Sequence, residues 1–220
     1  TDHMLLTADR NIGRDAESIF KYFERSYRPP RLKKLIMAPF QVRQKIAALI
    51  EREIDHVNSG KNSFISLKLN NFSDPDTIQL LYRASQAGVK IKLIVRSMFS
   101  LVTENPELSA NIEAIGIVDG LLEHSRIFRF HNDGNSEYFL SSADFLPRNF
   151  DSRVETLCPI EAPDLQAELD TYLDFQWGDS EKARLLDAEL SNQRFKPAGN
   201  KEVGASQKAI YEWLGSKAPS

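Results

Sequence analysis

Cysteine is nearly missing from this chain of 220 residues: Cys158 stands alone. One cysteine excludes an internal disulfide and fits a reducing compartment, so a cytoplasmic protein is expected, with membrane association through partners left open. Cys158 follows Leu157 in an apolar run and reads as a buried structural thiol rather than a nucleophile. No run of about 18 apolar residues exists, so no membrane span is expected, and the opening, which starts at Thr1, carries no signal-peptide pattern. Cations do not outnumber acids: the formal net charge is −3. A protein held to long polyanions by its global field would be basic, so any polyanion must be gripped by a local cluster of cations. Nucleic-acid binding by the whole domain is correspondingly disfavoured. No Cys/His cluster has zinc spacing and no Gly-rich phosphate loop is present, which argues against a P-loop enzyme and leaves other phosphoryl chemistry open. Internal repeats and low-complexity tracts are absent as well.

What is present suffices for one domain of good size, or one domain plus a tail, since 41% of the residues are apolar. The spacing predicts a helix over 14–27, stopped by Pro29-Pro30, then a short buried strand at 35–38 and a helix over 42–57. Residues 64–69 and the alternating 89–95 read as strands. Between them Asp74-Pro75 caps a helix that Gly88 ends. Strand, helix of about a dozen residues and strand make a βαβ unit, whose two strands are expected to be parallel. The 97–122 stretch reads as mostly irregular, followed by a hairpin over 125–142 around Asn132-Asp133-Gly134-Asn135 and a strand at 154–160. Two amphipathic helices are predicted over 163–176 and 180–190, a long loop over 191–205 and a closing helix over 209–214.

The chemistry concentrates in 123–155. His124 and Arg126 are two apart on a strand-like run, which puts both side chains on one face. The hairpin brings Ser142 and Asp144 towards the same end of the sheet, where they brace the turn or bind a metal; both readings stand. Phosphoryl transfer needs such a set: an imidazole to attack phosphorus or protonate a leaving oxygen, cations for the anion, and a carboxylate to orient the imidazole. Arg96 follows the carboxyl end of the second parallel strand, the edge at which open parallel sheets bind ligands. Arg126 and Arg153 are expected either to hold phosphate oxygens or to brace nearby carboxylates. Lys68, at the end of the first parallel strand, is expected to add positive potential there. His3, His56 and His131 have no comparable surroundings.

The longer pattern resembles the His-x-Lys, Gly-Ser-x-Asn and terminal Glu of the phospholipase D superfamily. Arg126 stands for the Lys, Ser141-Ser142-Ala143-Asp144 for Gly-Ser-x-Asn, and Glu155 for the Glu. Those departures, with Glu-His-Ser-Arg from 123, Pro-Arg-Asn from 147 and Arg-Val-Glu from 153, look like the last catalytic domain of bacterial polyphosphate kinases. Met37-Ala38-Pro39-Phe40, 85–91, 93–96, Leu190-Ser191-Asn192 and Gly199-Asn200 extend the resemblance over nearly the whole chain. It implies an α/β fold, a mixed central sheet flanked by helices, with 1–30 as the tail of a preceding domain or linker and 31–220 as the C-terminal domain. It also implies reversible transfer of the terminal phosphate of ATP to polyphosphate, with magnesium, through a phosphohistidine on an upstream half-site. His124 is then the acid/base or phosphate-stabilising His of the second half, Arg96 a grip on the transferred phosphate, and Glu155 the carboxylate that pairs with a catalytic His. Implied partners are ATP or ADP, polyphosphate, the preceding domains and further copies of the protein. Two rival readings are a single-motif phosphodiesterase that dimerises to complete its site, and a non-catalytic polyanion-binding module. The Arg-for-Lys and Asp-for-Asn replacements speak against the phosphodiesterase.

Overall fold

The two strands of the βαβ unit stand at the centre of an eight-stranded sheet. The computed structural model describes residues 1–26, 28–197 and 202–217. Its elements are α1 (Arg10–Glu24), β1 (Ile36–Ala38), α2 (Val42–Asn58), β2 (Phe64–Leu69), α3 (Pro75–Ala87), β3 (Lys90–Val95) and β4 (Ile112–Gly116). There follow β5 (Ile127–Phe130), β6 (Glu137–Ser141), α4 (Pro147–Asp151), β7 (Glu155–Ile160), α5 (Pro163–Trp177), β8 (Arg184–Leu185) and α6 (Ser206–Lys217). The sheet order is β1-β7-β6-β5-β2-β3-β4-β8. Strands β2, β3 and β4 are parallel, with Phe64 opposite Lys90 and Leu69 opposite Val95. The other pairings are antiparallel, so the sheet is mixed.

Local chemistry sets the βαβ boundaries. The Asp74 carboxylate accepts from the Thr77 N–H at the start of α3. Gly88 closes the helix with φ of 105°, a left-handed conformation in which a Cβ is strained.

Both faces of the sheet are covered. Val42, Ile46, Leu49 and Ile50 of α2 and Leu81 and Ala84 of α3 pack with Ile65, Leu67, Leu93 and Phe128 on one face. Leu169, Tyr172 and Leu173 of α5 and Ile210 of α6 pack with Ile94, Ile115 and Ile127 on the other. Each such Val, Leu, Ile or Phe side chain removed from water contributes about 1.5–3 kcal/mol. A phenyl cluster floors one edge: Phe145 lies 5.3 Å from Phe72, 5.1 Å from Phe128 and 5.3 Å from Phe150, ring centre to ring centre. It joins the ends of β2, β5 and β6 into one block. Helix α1 packs through Ile19 on Leu35 and Met37 at the outer edge. Asp15 of that helix accepts from the backbone N–H groups of Lys33, Lys34 and Leu35.

Three expectations are corrected, and one is refined: the 97–122 stretch is mostly irregular but contains β4, a five-residue strand that forms because β3 offers it a parallel ladder, Ile91 facing Ile112. The 180–190 segment is not a helix. Asp179 takes the N–H groups of Glu181, Lys182 and Ala183 in a turn, and the chain then adds the two-residue β8 to β4. Helix α1 starts at Arg10 because Asp9 caps Asn11 and Ile12, and it ends at Glu24; Tyr27 lies outside the described residues. The closing helix runs from Ser206 to Lys217, longer than 209–214. The Gly199-Asn200 pair also lies outside the described residues.

Candidate functional site

Strand direction brings the chemistry to one edge. The carboxyl ends of β2, β3 and β6 lie beside the amino ends of β5 and β7, because β5 opposes β2, β6 opposes β5 and β7 opposes β6. Asn70, Arg96, His124 to Arg126, Ser142 to Asp144 and Arg153 to Glu155 therefore all stand at that edge.

A hydrogen-bonded group forms its centre. Asn70 donates from Nδ2 to the His124 carbonyl at 3.1 Å and accepts on Oδ1 from Arg96 Nε at 3.0 Å. One carboxamide thus spans the gap between Arg96 and the His124 main chain. Arg126 donates to Asp144 Oδ1 at 3.1 Å and to the His124 carbonyl at 3.2 Å. Asp144 also accepts from the Asn70 N–H and from Asn71 Nδ2, both at 2.8 Å. Arg126 and Asp144 therefore act as braces, each with a protein partner. The terminal nitrogens of Arg96 make no hydrogen bond among the described residues, so its fork is available to an anion.

The His124 imidazole is 44% exposed, and its Nδ1 lies 2.9 Å from Asp2 Oδ2. A carboxylate on Nδ1 fixes the ring and leaves Nε2 for chemistry. Burial pushes the Asp2 carboxyl up, but hydrogen bonds from His124 and the His3 N–H outweigh it and hold Asp2 below its usual range. A depressed carboxyl contributes stability above its unfolded value, about 3.9, and loses it as pH falls through the folded value. Residues 1–3 stay in place because the His124 N–H donates to the Thr1 carbonyl at 2.8 Å and the His3 ring meets Tyr172 edge-on at 4.5 Å.

Glu155 belongs to a neighbouring group. Its oxygens accept from Ser142 Oγ and Asn149 Nδ2, both at 2.6 Å, and it makes no hydrogen bond to His124. Arg153 is exposed, with no side-chain hydrogen bond among the described residues.

Lys68 lies beneath the edge rather than on it. Its side chain is 1% exposed, 3.3 Å from the 2%-exposed Glu123 carboxylate, and donates to the Ser125 carbonyl at 3.1 Å. Glu123 also accepts from Tyr172, Gln176 and Gln207. Burial lowers the Lys68 ammonium. Burial raises the Glu123 carboxyl, but the Lys68 charge and the amide donors more than offset this and leave it below its usual value. Lys68 thus meets the Glu123 carboxylate and the Ser125 carbonyl beneath the edge.

The carboxylates at this edge are engaged by the protein itself. Asp144, Glu155 and Asp2 are each taken by nitrogen or hydroxyl donors, and no group of three His, Cys, Asp or Glu suited to a metal exists among the described residues. No helix is long and apolar enough to cross a membrane among those residues.

Sequence reasoning missed Asp2, Asn70 and Glu123. Only the run from Glu123 to Arg126 carried a signal for one of them, since alternate residues of an extended segment face opposite ways.

The family model described as polyphosphate kinase C-terminal domain 2 matches residues 35–207. A polyphosphate kinase from Vibrio cholerae is 42% identical over 214 residues, covering 97% of this chain and 30% of that protein. A crystal structure of polyphosphate kinase from Porphyromonas gingivalis superimposes with a TM-score of 0.89 at 40% identity, over 96% of this chain and 32% of the other. The phospholipase D family member Nuc from Salmonella typhimurium shares the fold, with a TM-score of 0.50 at 14% identity over 70% of this chain and 97% of Nuc. The chain spans about 30% of the length of the curated relatives it matches. With a phospholipase D-like fold and a family match over most of its length, it belongs to the polyphosphate kinase C-terminal domain 2 family.

Proposed function

We propose that this chain is the C-terminal catalytic half of a polyphosphate kinase, which transfers the terminal phosphate of ATP reversibly to inorganic polyphosphate. The observation that carries the reading is the pairing of a carboxylate-held imidazole, His124 on Asp2, with the open fork of Arg96 across a single carboxamide. That set places a proton donor or acceptor and a planar cation at the same sheet edge, as phosphoryl transfer requires. In this reading Arg96 grips the transferred phosphate, Arg126 and Asp144 hold the His124 strand, and exposed Arg153 meets the polymer at the rim. Glu155, held by Ser142 and Asn149, orients an imidazole other than His124, the one on the preceding half-site. That His is the phosphate acceptor, and its domain is the first partner of this chain. Magnesium in this reading comes with the phosphates of the nucleotide, and no step is assigned to it. The reducing cytoplasm and self-association rest on the family resemblance and the single cysteine.

Labelled ATP with magnesium separates the possibilities. The full-length protein is expected to form acid-labile label and polymer. The isolated chain is expected to form neither, because one half-site leaves the phosphoryl group without its covalent acceptor. Polymer made by the isolated chain would overturn the half-site reading. Cleavage of a phosphodiester by the isolated chain would favour a nuclease-like enzyme instead.

A further inference from the structure

The antiparallel ladder between β2 and β5 ends at Lys68 and Ile127. Beyond it the two chains continue side by side without backbone pairing, and this unpaired stretch carries His124. Its carbonyls still need donors, since a backbone oxygen left unpaired away from water is costly. Side chains from the end of β2 and just beyond it supply them: Lys68 donates to the Ser125 carbonyl and Asn70 to the His124 carbonyl. Asn70 is fully buried. Each of its polar groups reaches a different piece of the edge. The main-chain N–H donates to Asp144, the main-chain carbonyl accepts from Ser97, Nδ2 donates to His124, and Oδ1 accepts from Arg96.

We propose that Asn70 is a positioning residue that sets Arg96 and His124 at a fixed separation and aims the Arg96 fork. Arg96 Nε is the one guanidinium donor that a neighbour holds, and that neighbour also grips the His124 main chain. Without it the long Arg96 side chain loses its only side-chain anchor among the described residues and samples other rotamers, at a cost in side-chain entropy on each binding event. The inference rests on the phosphotransfer reading only for what the two groups act on; the coupling between them is a property of the edge itself.

The test is a double-variant cycle in the full-length protein with Asn70→Ala, Arg96→Ala and the pair. Two readouts are taken: affinity for tripolyphosphate by calorimetry, and the rate of polymer synthesis from ATP. Asn70→Ala is expected to weaken tripolyphosphate about tenfold, the range of a lost hydrogen bond to a charged group. It is expected to slow synthesis about 10- to 100-fold, as misplacement of a reacting group by about 1 Å does. If Asn70 acts through Arg96, the pair binds tripolyphosphate within about threefold of Arg96→Ala alone. A residue with a merely structural role gives losses that multiply, and multiplied losses would overturn the proposal. Asn70→Asp keeps the shape and the acceptor for Arg96 but loses the donor to His124, so its synthesis is expected to fall too; a wild-type rate overturns the His124 arm. Should Asn70→Ala fail to fold, Asn70→Leu, which fills the volume and removes both side-chain hydrogen bonds, takes its place in the cycle. If the wild-type protein makes no polymer, the proposed function falls, and the tripolyphosphate cycle alone decides the role of Asn70.

Discussion

Replacing His124 with alanine in the full-length protein is expected to cut polymer synthesis by about 10²- to 10⁴-fold, the usual worth of a positioned proton transfer. The size follows from how the ring is held. Asp2 takes Nδ1 at 2.9 Å, and the strand behind it is pinned by Asn70, Arg126 and the Thr1 carbonyl. A group held on this many sides has a small range of positions, so its proton is delivered in one geometry. His124→Gln is expected to fall nearly as far, because an amide at that place cannot carry the proton. Asp2→Asn should cause a smaller loss, since the ring keeps a hydrogen-bonding neighbour and loses the charge that stabilises an imidazolium. The rates are measured with purified full-length variants whose thermal midpoints match wild type. Unchanged turnover in His124→Ala would remove His124 from the mechanism.

The parts of this molecule that local chemistry determines were legible in its sequence. The βαβ unit announces itself through Asp74-Pro75, Gly88 and the alternation at 89–95, and β2 and β3 pair in parallel as that pattern requires. The placement of Arg96 at a strand end follows from the same pattern. The parts that depend on a distant neighbour were not legible. Strand β4 exists because β3 lends it a ladder, and β8 is two residues that no periodicity can mark. Lys68 read as an edge cation because its strand position was visible and its cover was not: α5 and α6 close over that face and bring Tyr172, Gln176 and Gln207 against its partner Glu123. Asp2 reaches His124 across 122 positions and Asn70 across 54. An Asp in an opening segment and an Asn after a strand are among the commonest loop residues; only their tertiary partners distinguish them.

The buried pair beneath the site gives the second large expectation, this time in stability. Glu123→Ala leaves the Lys68 ammonium 1% exposed and without its counter-charge, and removing one member of such a pair costs about 3–5 kcal/mol. Against a total of about 5–15 kcal/mol for a domain, that is a large fraction. Lys68→Met strands Glu123 in the same way, although Tyr172, Gln176 and Gln207 still donate to it, so its loss should be the smaller of the two. The double variant Lys68→Met with Glu123→Gln removes both charges, keeps the volumes, and leaves an amide oxygen for Tyr172 and Gln176, which share Oε2. It is expected to recover most of the lost stability, because the desolvation of two ions is no longer paid for. The pH dependence has a definite sign. The Glu123 carboxyl is held below its usual value, so the pair's contribution is present above about pH 4.3, the unfolded value. It is lost as pH falls through the lower folded value. Wild type should therefore weaken on acidification more steeply than the double variant. Urea unfolding of the domain, or exchange protection of the β2 and β5 amides, reads all of this. A double variant no more stable than the worse single variant would mean that shape at this position, and not charge, holds the His124 strand in place.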